Sequence, residues 1–448
     1  MISINFFNSA GFPPFRLTLI AILLHNTHFY IELLLMTINY QYFFIFIILF
    51  AALFELWLNK RQINFVSKNK NKVPEAFAKN IKLKDHKKAA DYTVAKTQFG
   101  SFGLVISALI TYYLTIGGGI NQLNSFFTHI DVTSLIGGSL VVTILAVLLS
   151  AIEIPSNFYS TFVIEEKFGF NQTKTKTFIS DVLIDLTTTA AVTFVIMYIS
   201  LWIISALGSS WWFWLWVFLS SVIIIMSALG PLLQQLKNKF SPLEDKKLKV
   251  IIEKLLKKCG FESQGLFIMN GSLRSSHGNA FFGGFGKTKR IIFFDTLLDK
   301  LTHKEIEAVI AHELGHFKMN HVKKFMAIMI TILFLSLYVL GGLKDNPLFY
   351  EVLGVEMMSD ANFLMLFNFV LLNYLFFFIK PAMAFLSRKN EYEADAYACL
   401  VAKGDDLKRS LTKLYRDNAS TLTPDPLYSS FNHSHPPALM RIKAIDKL

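Results

Sequence analysis

"AVIAHELGHFKMNHVKKFMAIMITILFLSLYVLGGL", residues 308–343, begins with two histidines and a glutamate and ends in nineteen residues without a charge. Helical spacing runs through both halves with barely a break. The apolar half matches the roughly 20 helical residues that a bilayer core of about 30 Å requires. In the polar half, His312 and His316 stand four apart, so on a helix both imidazoles leave one face and can grip a single zinc ion. Glu313, the next residue, points beside that position, where it can take a proton from a water that zinc acidifies. The stretch therefore places hydrolytic chemistry at the mouth of a membrane span.

Composition agrees with a membrane protein. The 448 residues are 53% hydrophobic and 15% aromatic with only 17% charged, and the mean hydropathy is +0.44. One soluble core could not hide so much apolar surface. Seven stretches are long and apolar enough to span, at 42–58, 101–120, 135–155, 182–207, 211–233, 325–343 and 362–386. The loop 59–100 carries eleven Lys or Arg against three acidic residues, whereas 121–134 has only Asp131 and 344–361 has Lys344 against four acids. By the positive-inside rule, loops 59–100, 156–181 and 234–324 and the tail from 387 share the cytoplasmic side. The same clustering explains the net charge of +12, so no nucleic-acid partner is expected. Cys259 and Cys399 are the only cysteines and form no CxxC, which leaves histidine and carboxylate as metal ligands.

Directly after the seventh span, "SRKNEYEADAYA" (387–398) sets Glu391 and Asp395 four apart on another helical pattern. Glu391 would complete a His₂Glu set and leave a fourth position open for water, as a catalytic zinc needs. Asp395 could hold the second N–H of a ligand histidine. In the tail, "NHSHPP" offers His433 and His435; the latter adjoins the rigid Pro436-Pro437 and is the better candidate to stabilise an oxyanion. Residues 241–261 have amphipathic helical spacing. The stretch "HGNAFFGGFGKTKRIIFFDTLL" (277–298) reads as two strands around a Gly-rich turn, then a helix starting at Asp295, with Asn279 able to fix an extended peptide on the strand edge.

Six landmarks in order, "FELWLNKRQ" (54–62), "YSTFVIEEKFGFN" (159–171), "SSHGNAFFGGFGKTKRIIFFDTLL" (275–298), "HELGHFKMNH" (312–321), "SRKNEYEADAYA" and "YSSFNHSHPPALMRIKAID" (428–446), resemble the type 1 CAAX prenyl endopeptidases. The resemblance runs from about Phe54 to Asp446. It implies a mainly α membrane protein in which seven transmembrane helices enclose a water-filled intramembrane chamber, with a gluzincin-type zinc domain on the cytoplasmic side. By position it implies one Zn²⁺ held by His312, His316 and Glu391, with Glu313 as general base and Asp395 behind a ligand. It further implies His435 and Arg441 as intermediate-stabilising and supporting residues, and Asn279 as a contact to the substrate backbone.

The expected organisation is an N-terminal extension at 1–41, not native before Met36; five transmembrane helices with basic loops at 42–233; a cytoplasmic zinc-protease segment at 234–324; spans six and seven at 325–386; and a C-terminal segment with the third ligand at 387–448. The expected partners are the lipid bilayer and a peptide or protein substrate. That substrate is a prenylated C-terminus if the organism prenylates proteins, and a misfolded or stalled membrane protein otherwise. The corresponding membranes are the endoplasmic reticulum or nuclear envelope, or a bacterial inner membrane. Two other readings fit less well. A site-2 type protease would bury its motif within a span, and a scaffold or transporter with a structural zinc would close the site with four ligands.

Overall fold

The computed structural model describes residues 14–127, 129–283 and 290–448, with side chains from residue 38 onward apart from 231–232 and 282–289. The reading of residues 1–35 as an extension lies outside the described side chains. Among the described residues, seven helices are long and apolar enough to cross a membrane: Ile38–Asn69, Leu83–Leu114, Leu135–Glu165, Thr175–Ala206, Gly208–Gly230, His321–Gly341 and Asp360–Val401. They are referred to below as spans one to seven.

Two expectations about these helices need correction. Span two does not run 101–120 but Leu83–Leu114, because the chain turns at Thr115 and Gly118 takes a φ of 76°, a left-handed conformation that glycine adopts without steric cost. Nor is the HELGH helix a continuation of span six. It ends at Lys318, and Asn320, at φ 56°, breaks the chain before span six starts at His321. Asparagine tolerates this conformation better than other residues bearing a Cβ. Span seven does continue without a break in its helix from Leu372 through Pro381 to Val401, and so carries Glu391 directly.

Several polar residues of the spans find partners. Glu55 of span one accepts from Lys380 of span seven at 2.6 Å, while Asn368 and Asn373 donate to carbonyls of their own helix. Asp181 and Asp185, near the start of span four, pair with Arg274 and Lys237 of the segment after span five. A cavity of about 540 Å³ lies among spans one, two, six and seven, reaching from Glu55 and Lys380 to Asn432 and Ser434.

Outside the spans, four short strands form one sheet in the order β1-β2-β4-β3: β1 Phe240–Pro242, β2 Leu266–Met269, β3 Ala280–Gly283 and β4 Arg290–Phe294. β3 pairs antiparallel with β4 and lies at the sheet's edge, as the sequence pattern predicts; the turn between them falls outside the described residues. The amphipathic helix appears as Lys246–Cys259, with Asp245 accepting from the amides of Lys247 and Leu248 at its N-terminus. Its Leu248 and Ile252 join Ile291 and Phe293 of β4, Ile306 and Ile310 of the HELGH helix, and Leu407 and Leu411 of the tail helix Gly404–Asp417 in one core. Each such buried side chain contributes roughly 1.5–3 kcal/mol, which fixes the HELGH helix between the sheet and the tail.

Candidate metal centre

The HELGH helix, His303–Lys318, starts at a reciprocal cap. Thr302 accepts from the Glu305 amide, and Glu305 accepts from the Thr302 amide at 2.8 Å. The same carboxylate takes Lys413 of the tail helix at 2.7 Å, so the cap also ties the helix to the tail. Ile306, Ile310 and Leu314 are buried in the core, and the 3.6-residue period sends His312 and His316 out together toward span seven. The two helices meet where both carry small residues: a Cβ on Gly315 would stand 2.9 Å from Ala394 Cα and 3.2 Å from Tyr397 Cβ.

This close approach brings Glu391 to the histidines. His312 Nε2 and His316 Nε2 are 3.2 Å apart, His316 Nε2 is 3.3 Å from Glu391 Oε1, and His312 Nε2 is 3.5 Å from Glu391 Oε2. The set is tight and converging, with one donor atom from each residue within 4.8 Å of the others. A tetrahedron with edges of about 3.3 Å has vertices about 2.0 Å from its centre, the usual length of a zinc–nitrogen or zinc–carboxylate bond. Two lone-pair nitrogens and a carboxylate turned toward one point are a cation site by their chemistry, and the residues present fit zinc.

The supporting residues lie around these three. Asp395 Oδ1 is 2.9 Å from His312 Nδ1, which leaves Nε2 for the metal. Arg441 grips the same carboxylate with two donors, Nη2 to Oδ1 at 2.6 Å and Nε to Oδ2 at 2.9 Å, and its Nη1 is 3.2 Å from Glu391 Oε2. His435 Nδ1 lies 2.9 Å from the same Glu391 oxygen. His433 is turned elsewhere, with its ring on Ser429 Oγ at 3.0 Å and its carbonyl accepting from Arg388 at 2.8 Å. Glu313 belongs to none of these ligand contacts. Asn279 is exposed at the head of β3: its side-chain oxygen accepts from the Ala280 amide and its carbonyl accepts from Phe294 of β4.

The electrostatics suit a cation. Burial would push the His316 imidazole pKa down, but Glu391 beside it outweighs this and holds it above its ordinary value. The potential that draws a proton to His316 draws a metal equally. Burial pushes the Glu313 carboxyl above the usual carboxylate range. Although burial disfavours the Arg441 charge, Asp395 keeps the guanidinium fully protonated. Burial, followed by the charge of Arg388, lowers the pKa of His433, which is therefore neutral where it sits.

Some residues of the site escape sequence reasoning. His321 is packed on His316, and Glu393 on His321, through contacts taken up below. Farther out, Tyr92 donates to Glu165 Oε1 at 2.5 Å, Lys96 lies 3.6 Å from that oxygen, and His277 Nε2 is 3.4 Å from Oε2. Asn418 bonds both the amide and the carbonyl of Gly278. Together these groups fix the strand that presents Asn279. The one available signal for Glu165 was its place in a landmark stretch, where the helix widens to π turns over Ser160–Glu165.

Two family models match consecutive parts of the chain. Residues 62–235 match one described as CAAX prenyl protease N-terminal, five membrane helices, and residues 242–448 match peptidase family M48. CAAX prenyl protease 1 of Saccharomyces cerevisiae is 34% identical over 419 residues, covering 88% of this chain and 92% of that protein. The CAAX prenyl protease 1 homolog of Dictyostelium discoideum is 32% identical, covering 92% of this chain and 97% of its own length. The crystal structure of S. mikatae Ste24p superposes with a TM-score of 0.84 at 30% identity, over 91% of this chain and 99% of that one.

Proposed function

Because this chain belongs to peptidase family M48, in its CAAX prenyl protease group, we propose that His312, His316 and Glu391 hold one zinc ion and that Glu313 is the general base of peptide hydrolysis. The protein is a multi-pass membrane metalloendopeptidase acting on peptide or protein substrates. When bound, zinc polarises the scissile carbonyl and acidifies the attacking water. Glu313 takes the proton of that water on its carboxylate and returns it to the leaving amine. His435 donates to the oxyanion as charge develops there. Arg441 and Asp395 orient Glu391 and His312, and the β3 edge with Asn279 receives the substrate backbone as an added strand.

The observation that carries this reading is the convergence of three donors at tetrahedral spacing, with Glu313 adjacent in the chain but outside the ligand contacts. The substrate we assign is a prenylated C-terminus, from which a tripeptide is removed. The apolar-walled cavity that reaches Ser434, next to His435, supports a lipid-tethered chain approaching from the membrane. The basic loops support a site facing the cytoplasm, in the endoplasmic reticulum or nuclear envelope of a eukaryote or the inner membrane of a bacterium.

The test is cleavage of matched prenylated and unprenylated C-terminal peptides by detergent-purified protein, with metal content measured in parallel. Glu313→Gln should keep stoichiometric zinc and lose nearly all turnover. Retained turnover in that variant would remove Glu313 from the mechanism. Equal cleavage of both peptides would remove the prenyl requirement.

A further inference from the structure

His316 has a ring nitrogen that metal binding does not use. Its Nε2 faces His312 and Glu391, so that nitrogen must offer a lone pair and Nδ1 must carry the proton. His316 Nδ1 lies 3.0 Å from His321 Nδ1, and the rings meet edge to face with centroids 5.0 Å apart. His321 Nδ1 can only accept that proton's hydrogen bond, which places its own hydrogen on Nε2. That nitrogen is 3.1 Å from Glu393 Oε2. One assignment of protons satisfies every contact: His316 donates to His321, and His321 donates to a carboxylate. His321 is 4% exposed, so its ring has little water to turn to, whereas Glu393 stays partly exposed with Lys389 4.0 Å away.

The backbone explains why the two rings can meet. On an unbroken helix, residues five apart point in different directions, but the left-handed Asn320 folds the chain so that His321 starts span six beneath His316. We infer that His321 and Glu393 are positioning residues of the metal centre, a histidine–carboxylate chain that fixes the tautomer and orientation of His316 as Asp395 does for His312. This inference rests on His316 being a metal ligand. The two ligand histidines are then held in different ways, one directly by a carboxylate and one through an intervening imidazole.

The test is zinc affinity, measured by chelator competition on the full-length protein in detergent, with thermal unfolding of the metal-free protein as the folding control. His321→Leu should weaken zinc binding about 10- to 100-fold, the usual effect of removing a group that orients a ligand histidine. His321→Asn restores an acceptor near the Nδ1 position and should recover a large part of the loss. Glu393→Ala should weaken binding when His321 is present and change nothing further when it is leucine, a dependence that general loss of packing would not produce. If His321→Leu does not fold, the Asn and Glu393→Ala variants decide the matter alone. Zinc affinity within about threefold of the parent in folded His321→Leu, or an equal effect of Glu393→Ala in both backgrounds, overturns the inference. His316→Ala separates the two levels: if it retains tight zinc, the ligand assignment itself has failed, and if it loses zinc while His321→Leu does not, only the positioning chain has.

Discussion

Replacing Gly315 by alanine adds a single methyl group at the contact between the helices that carry the proposed metal ligands. The new Cβ would stand 2.9 Å from Ala394 Cα, 3.1 Å from its carbonyl oxygen and 3.2 Å from Tyr397 Cβ. Ordinary carbon contacts begin near about 3.5 Å, so the helices must part by about 0.6 Å at this point. Backbone atoms cannot swing aside as a flexible side chain could. Metal–ligand distances tolerate only about 0.2 Å, and the displacement separates His312 and His316 from Glu391. Overpacking of this kind costs about 1–3 kcal/mol, and if the metal-loaded geometry bears that cost, zinc affinity falls roughly 5- to 150-fold. Chelator competition on purified Gly315→Ala reads this directly. Gly341→Ala is the control, since its Cβ would crowd the Trp212 side chain at 3.1 Å, between spans six and five and away from the ligands. It should lower the unfolding temperature and leave zinc affinity unchanged. Zinc affinity within twofold of the parent for Gly315→Ala would refute the reasoning, because the strain would then have been absorbed outside the site.

Further outcomes follow from the same geometry. His435→Ala should lower kcat about 10²- to 10³-fold with zinc content and KM nearly unchanged, as for loss of an oxyanion donor. His433→Ala should cost about 1 kcal/mol of stability through its bond to Ser429 and leave kcat intact, and swapped phenotypes would reverse the two roles. Burial works to raise the Glu305 pKa, but its bonds to Lys413 and Thr302 hold it below the usual value. The stability it adds is therefore present above about pH 4.5 and fades as pH falls through its folded value. Glu305→Gln should lower the unfolding temperature near pH 7, and the gap to the parent should narrow as pH falls below about 4.5; a gap that stays constant into acid would argue against this linkage. Cysteines placed at 85 and 440 should be labelled from one face of the membrane and one at 350 from the other; labelling 85 and 440 from opposite faces would break the assigned topology.

Much of this was legible in the sequence because it is local and periodic. Apolar runs gave the number of spans, and spacing by four gave both histidines on one helix and both carboxylates on another. What remained hidden depends on single backbone choices or on distant segments. Asn320 adopts a conformation that hydrophobic periodicity does not encode, and it decides both the break before span six and the meeting of His321 with His316. The end of span two was misplaced for a similar reason, since "TIGGG" (115–119) reads as apolar but turns at Gly118. Tyr92, Glu165 and His277 come from three segments with no common period, and only the folded chain brings them together. The proposed choice of His435 over His433 had a sequence hint in the following prolines, and what supports it in the fold is that Ser429 and Arg388 hold the other histidine away.

The break at Asn320 also has a mechanical side. Two of the proposed metal ligands sit on a helix joined to span six at Asn320, while the third rides on span seven itself, about 28 Å along the helix from Leu372 at 1.5 Å per residue. At that lever length, one degree of tilt about Leu372 carries Glu391 roughly 0.5 Å, more than metal geometry tolerates. Membrane helices tilt to match the thickness of their bilayer. Span six reaches the site through the Asn320 joint and the ring of His321 on His316, whereas a tilt of span seven moves Glu391 itself. The contact of Gly315 with Ala394 works as a latch between the HELGH helix, held by the sheet and the tail, and span seven. A change in lipid thickness is therefore expected to reach the proposed metal centre most directly through span seven.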